Sequence, residues 1–128
     1  PADASMPSHL TIALNLKKHT AYGATFVREG NRWQPLTQAT VLPLDELLAQ
    51  SAGNPTALIA PALPADYALP GHVTRMPVEA GQPHSDCVWL LGRQLAKEGQ
   101  YTDPATLLPI YARPPEAVEL WNQRHGEA

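Results

Sequence analysis

The chain predicts an α/β fold: a mixed sheet that opens as an antiparallel meander, with helices packed on it. Three observations carry this. Residues 10–16, 22–28 and 32–42 are rich in strand-forming residues and are separated by short polar connections. From Pro43 onward the apolar spacing changes to helical in places, with short apolar runs between. Finally, 14 prolines and 8 glycines among 128 residues demand short elements and many turns.

Residues 1–8 read as a disordered leader or linker, 9–124 as a single α/β domain and 125–128 as a tail. In residues 10–16, Leu-Thr-Ile-Ala-Leu-Asn-Leu, apolar residues alternate with small or polar ones, which is strand period. Lys17, Lys18, His19 and Thr20 make a polar connection. Residues 22–28 form a second strand, and Glu29, Gly30 and Asn31 signal a hairpin turn. The third strand, 32–42, is interrupted by Pro35, which suits an edge or a bulge.

A helix starts after Pro43, with Asp45 and Glu46 favourable to its dipole and Leu44, Leu47 and Leu48 on one face. Gly53 is its natural stop. Residues 56–60 make a short buried strand. Residues 61–83, broken by Pro61, Pro64, Pro70, Pro77 and Pro83, are the least regular part, with one small strand at 72–75.

Residues 85–98 are the clearest helix, with Ser85 as cap, Asp86 in the first turn and Gly99 as a left-handed stop. Val88, Leu91 and Leu95 form its stripe, widened by Cys87, Trp89 and Leu90. Gly92 reads as a site of close packing. Residues 107–113 then end an apolar run in strand period, and Pro114 and Pro115 stop it. A last helix follows at 115–123, with Ala117, Leu120 and Trp121 on its apolar side.

Several function classes drop out. The net charge of −3 argues against a large nonspecific phosphate-binding surface. The glycines are too far apart for a Walker or dinucleotide-binding loop; Gly23 and Gly30, and Gly92 and Gly99, are the closest pairs. The 5 histidines are scattered, and none forms a metalloprotease pair; they read as surface residues. The single cysteine, Cys87, excludes an intrachain disulfide and fits a reducing compartment. It reads as a small buried residue rather than a stabilised thiolate. No apolar run is long enough for a transmembrane helix, and the first residues lack signal-peptide character. The start at Pro1 has two readings, a piece of a longer protein or removal of an initiator methionine.

The remaining candidates are few. Lys17, Lys18 and His19 are the only basic run, and a solvated turn explains them. Arg113 suits a structural ion pair or a partner carboxylate. Trp89 reads as a core anchor, and Trp33 and Trp121 as core or interface residues. No catalytic residue, metal ligand or cofactor site is identified.

Residues 109–113, Pro-Ile-Tyr-Ala-Arg, followed by Pro-Pro-Glu-Ala and preceded by an amphipathic helix ending in glycine, resemble the end of the TsaB (YeaZ) family. That family typically closes with a Pro-x-Tyr-Leu-Arg strand and a short polar tail. The upstream order of elements fits as well, so the resemblance covers residues 9–122 and the family's second lobe. Pro109, Tyr111 and Arg113 are the signature positions, with a structural role.

The resemblance implies one lobe of the actin-like/ribonuclease-H-like fold, historically filed with M22 glycoproteases. It implies a non-catalytic, cytoplasmic part in making N6-threonylcarbamoyladenosine (t6A) on tRNA. The implied partners are a TsaD-like catalytic subunit and a TsaE-like ATPase, with tRNA met only through the complex; a homodimer is a further expectation. The absence of a His-x-x-x-His pair agrees with the non-catalytic branch. Two features depart from the pattern. The family's first lobe, with its glycine-rich segment, has no counterpart here, and Asn15 and Lys17 stand where members often carry Asp and Arg. Two other classes remain open: an M22-type hydrolase, and a stand-alone interaction module using Trp33, Trp121 and residues 61–83.

Overall fold

The computed structural model describes residues 6–126. Residues 1–5 of the expected leader and 127–128 of the tail lie outside the described residues. Contacts gather the chain into two compact units, one ending at Gln82 and the other beginning at Pro83.

The first unit is a mixed sheet. Strand β1, His9–Lys17, pairs antiparallel with β2, Thr20–Glu29. The connection is a tight turn with Lys18 and His19 at positive φ, the backbone of the hairpin turns that match strand twist. Between Leu14 and Lys17 the register slips at a bulge. The extra residue there changes which side the chain faces, and Leu16 packs with the core.

The expected third strand forms in two pieces. β3, Arg32–Pro35, pairs with one end of β2, and β4, Thr40–Pro43, with the other. Pro35 ends the first piece because it has no N–H for a ladder. The gap is tied down from β2: the Thr25 carbonyl accepts from the amides of Leu36 (2.8 Å) and Thr37 (3.3 Å).

Helix α1, Leu44–Ala49, begins as soon as β4 ends. Its first amide, that of Leu44, donates to the His19 carbonyl at 2.9 Å, fixing the helix start to the hairpin turn. Its acidic first turn and its buried Leu44, Leu47 and Leu48 follow the sequence reading. Gly53, at φ +80°, turns the chain after the helix.

β5, Thr56–Ile59, then runs parallel to β1, and β6, Val73–Arg75, parallel to β5. The strand order is β3-β2-β1-β5-β6, with β4 also on β2. The predicted architecture is therefore present: an antiparallel meander continued into a mixed sheet, with α1 packed on it.

The face under α1 is lined by small residues. Thr11, Ala13, Ala21 and Thr25 are fully buried there. A Cβ at Gly23 would lie 2.5 Å from the Ile12 carbonyl oxygen and 2.5 Å from Leu47 Cδ2. The helix sits too close for larger side chains, and Leu47 and Leu58 supply the bulk. Strand alternation therefore sends Leu10, Ile12 and Leu14 to the other face, where they are half-buried or exposed.

The second unit holds α2, Ser85–Lys97, and α3, Glu116–His125. Gly99 closes α2 at φ +73°, with the Gln100 amide donating to the Leu95 carbonyl at 2.9 Å. Several expectations need correction here. Ser85 makes no cap; His84 precedes the helix without a side-chain cap bond. The Asp86 carboxylate instead accepts from the Cys87 amide at 2.9 Å. Cys87 is exposed rather than buried. Gly92 permits no close packing, since a Cβ there meets nothing within 4 Å. The stripe expected to be core is open: Val88, Trp89, Leu90 and Leu91 are all exposed.

The strand expected across residues 107–113 does not form. That segment is irregular, after a short 3-10 turn at Pro104–Thr106. Strand residues need a neighbouring ladder for their N–H and C=O groups, and no described strand pairs with this segment. Pro109, Pro114 and Pro115 also remove donors.

Candidate functional site

The signature residues expected near the chain end all lie in the second unit. Pro109 is exposed, and Tyr111 is 81% exposed. Arg113 is half-buried and is engaged in interactions of its own. Leu107, Leu108 and Ile110 are exposed beside them. This stretch thus presents apolar and aromatic surface rather than closing a core.

Trp121, on α3, is 61% exposed and stacks on His125, with ring centroids 3.9 Å apart and planes at 22°. His125 Nδ1 also lies 3.0 Å from the Trp121 carbonyl, so the pair is a helix-end clasp. Trp33 belongs to the first unit, where it sits opposite Arg28 on β3 and is 38% exposed. Trp89, expected in the core, lies on the surface under the Arg93 guanidinium, 4.6 Å from its ring centroid. That cation–π contact is an exposed one, of about 0.5–1 kcal/mol. Each unit thus presents exposed aromatic surface of its own, Trp33 in the first and Trp89 and Trp121 in the second.

Sequence reasoning missed His72. It grouped this residue with scattered surface histidines, yet His72 Nε2 is buried and has no hydrogen-bond partner among the described residues. The ring is set by the backbone: the His72 carbonyl accepts the Thr56 amide at 2.9 Å as β6 joins β5. Two cavities meet at this residue. One, of about 330 Å³, lies among Met6, Pro7, the start of β5 and Met76. The other, of about 380 Å³, runs along α1 past Asp45 and Leu48 to Pro70. The only sequence signal was a histidine beside a glycine at the start of a short strand, which is too weak to read.

Next to the second cavity, Tyr67 donates to Asp45 Oδ1 at 2.9 Å. That bond, then burial, then the carboxylate's charge raise the Tyr67 pKa above its usual value. Arg75 is tied to the fold, donating to the carbonyls of Leu63 (2.9 Å) and Pro64 (2.7 Å).

Among the described residues, no three His, Cys, Asp or Glu side chains gather as a metal site. No described helix is long and apolar enough to cross a membrane. No protein-family model matches the chain, and no curated protein does. The described residues offer aromatic and apolar contact surface and a half-buried imidazole, that of His72, whose Nε2 is covered.

Proposed function

We propose that this chain is the second lobe of a TsaB-like protein, a non-catalytic, cytoplasmic partner of a TsaD-like subunit in t6A formation on tRNA. The observation that carries this reading is the β-β-β-β-α-β progression, with β1 central and β5 added parallel to it. It is compatible with one lobe of an actin-like fold. The Pro-Ile-Tyr-Ala-Arg segment supports it from the sequence side, and its exposed position suits a contact role. In this reading a TsaE-like ATPase joins the assembly, and tRNA is met only through the complex.

The test is co-expression of the tagged chain with the TsaD-like and TsaE-like proteins of its source. Association on size exclusion, and t6A in tRNA by nucleoside mass spectrometry that depends on the chain, is the expected result. Failure to associate removes the proposal. A second reading, a stand-alone interaction module, is favoured by the exposed apolar residues of α2 and residues 107–111. A defined homodimer that buries Trp121, seen by fluorescence and light scattering, would support it instead.

A further inference from the structure

We propose that residues 107–111 are a donated strand: in a reciprocal two-fold dimer, this segment of each copy pairs with the open edge of β6 in the other. Three observations carry this. The segment has strand period, yet no described strand pairs with it. Leu107 already holds an extended backbone, at φ −72° and ψ 108°. Leu107, Leu108, Ile110 and Tyr111 are each more than two-thirds exposed. The amides of Leu108, Ile110 and Tyr111 have no backbone acceptor among the described residues. Second, β6 is the outermost strand on its side of the sheet. Its inner side is held to β5 through the His72 carbonyl (2.9 Å) and the Met76 amide (2.8 Å). Alternation along the strand turns the backbone groups of Val73 and Arg75 outward. The Val73 amide is taken by the Pro70 carbonyl at 2.9 Å. The Val73 carbonyl and the Arg75 amide and carbonyl have no backbone partner among the described residues. They form an acceptor–donor–acceptor row that an incoming strand answers. Third, apolar surface lies beside that edge. Met6, Met76 and Val78 are exposed, and both methionines line one cavity with Thr74 of β6.

Proline sets the register. Pro109 has no amide hydrogen, so its backbone faces away from β6 and the groups of Leu108 and Ile110 face toward it. A strand with proline on its outer side is a poor template for further pairing. The exchange therefore closes at two copies instead of growing into a fibre. Apolar burial drives the association, since water already serves the exposed amides. Four side chains of this exposure bury roughly 400 Å² per segment. With a receiving edge of similar size, each copy buries about the 800 Å² of a standard stable interface. The dimer uses this chain alone, so it stands apart from the partners proposed above.

The test is sedimentation equilibrium of the full chain, with amide hydrogen exchange read by NMR at low and high concentration. The expected result is a dimer with a Kd on the order of micromolar. Exchange at Arg75, Leu108 and Ile110 should slow only where the dimer is populated. Ile110→Pro removes an inward amide and should raise Kd about tenfold beyond Ile110→Ala. Tyr111→Pro removes an outward one and should match Tyr111→Ala. Both positions lie in irregular chain, so an unchanged amide spectrum of the first unit shows that folding is intact. A chain that stays monomeric at millimolar concentration overturns the inference. So does Arg75 protection that is independent of concentration, or a dimer in which the two prolines act alike.

Discussion

At the scale of single residues, the most informative pair is Thr11 and Thr25. Their hydroxyls meet at 3.1 Å in the fully buried layer under α1. The Thr25 amide is in turn held by Thr37 Oγ1 at 3.1 Å, and Thr37 donates to Gln50 Oε1 at 3.0 Å. Thr25→Val strands the Thr11 hydroxyl in the core and should cost about 1–3 kcal/mol in urea unfolding. The Thr11→Val/Thr25→Val double variant replaces both partners by isosteres and should recover most of that loss. Equal losses in the single and double variants would show that the pair contributes little.

Tyr67 gives a second residue-scale prediction. Its raised pKa means that the folded state holds the phenolic proton more tightly than the unfolded chain does. The associated stability is complete below the unfolded pKa near 10 and is lost as pH rises through the folded value. Tyr67→Phe should therefore cost about 0.5 kcal/mol near pH 8, a low figure because solvent screens the pair. The gap between the two proteins should close above about pH 10. Unfolding curves across that range check the sign.

At the scale of elements, the contact between α1 and the sheet decides most. Gly23 is required by distance rather than by backbone freedom, since a methyl group would strike both a carbonyl oxygen and Leu47. Gly23→Ala should cost about 1–3 kcal/mol through overpacking. Gly92 is the opposite case. It lies inside α2 with open space around its Cα, so Gly92→Ala should stabilise that helix by about 0.5–1 kcal/mol. Paired thermal unfolding of the two variants reads both signs. Elements differed in legibility for the same local reasons. α1 was legible because Pro43, two acidic residues and three leucines agree on one helix. The last strand was misread because residues 110–113 carry the strand period but find no ladder.

At the scale of the whole molecule, the contrast between the units matters. The first buries a core of Ala13, Ala21, Leu44, Leu47, Leu48 and Leu58. The second leaves the α2 stripe and residues 107–111 exposed, which is apolar surface open to solvent or to a contact. The native chain should bind the dye ANS. Leu91→Glu, at a position 56% exposed, should lower that fluorescence while changing stability by less than about 0.5 kcal/mol. A large stability loss instead would mean that Leu91 is packed in solution.

The sequence by itself determined the fold class, the meander, α1, α2 and the short buried strand that becomes β5, because each is written in local period and punctuation; that β5 lies parallel to β1 came from the tertiary structure. Tertiary structure decided what local pattern cannot carry. It turned the large residues of β1 away from α1 and buried the small ones, because the approach distance between helix and sheet selects size over hydrophobicity. It left Trp89 and Cys87 on the surface, because an apolar stripe states what a helix can bury and not what lies against it. And it placed the His72 imidazole between two cavities, a feature made by residues from separate segments that meet only when β5 and β6 pair.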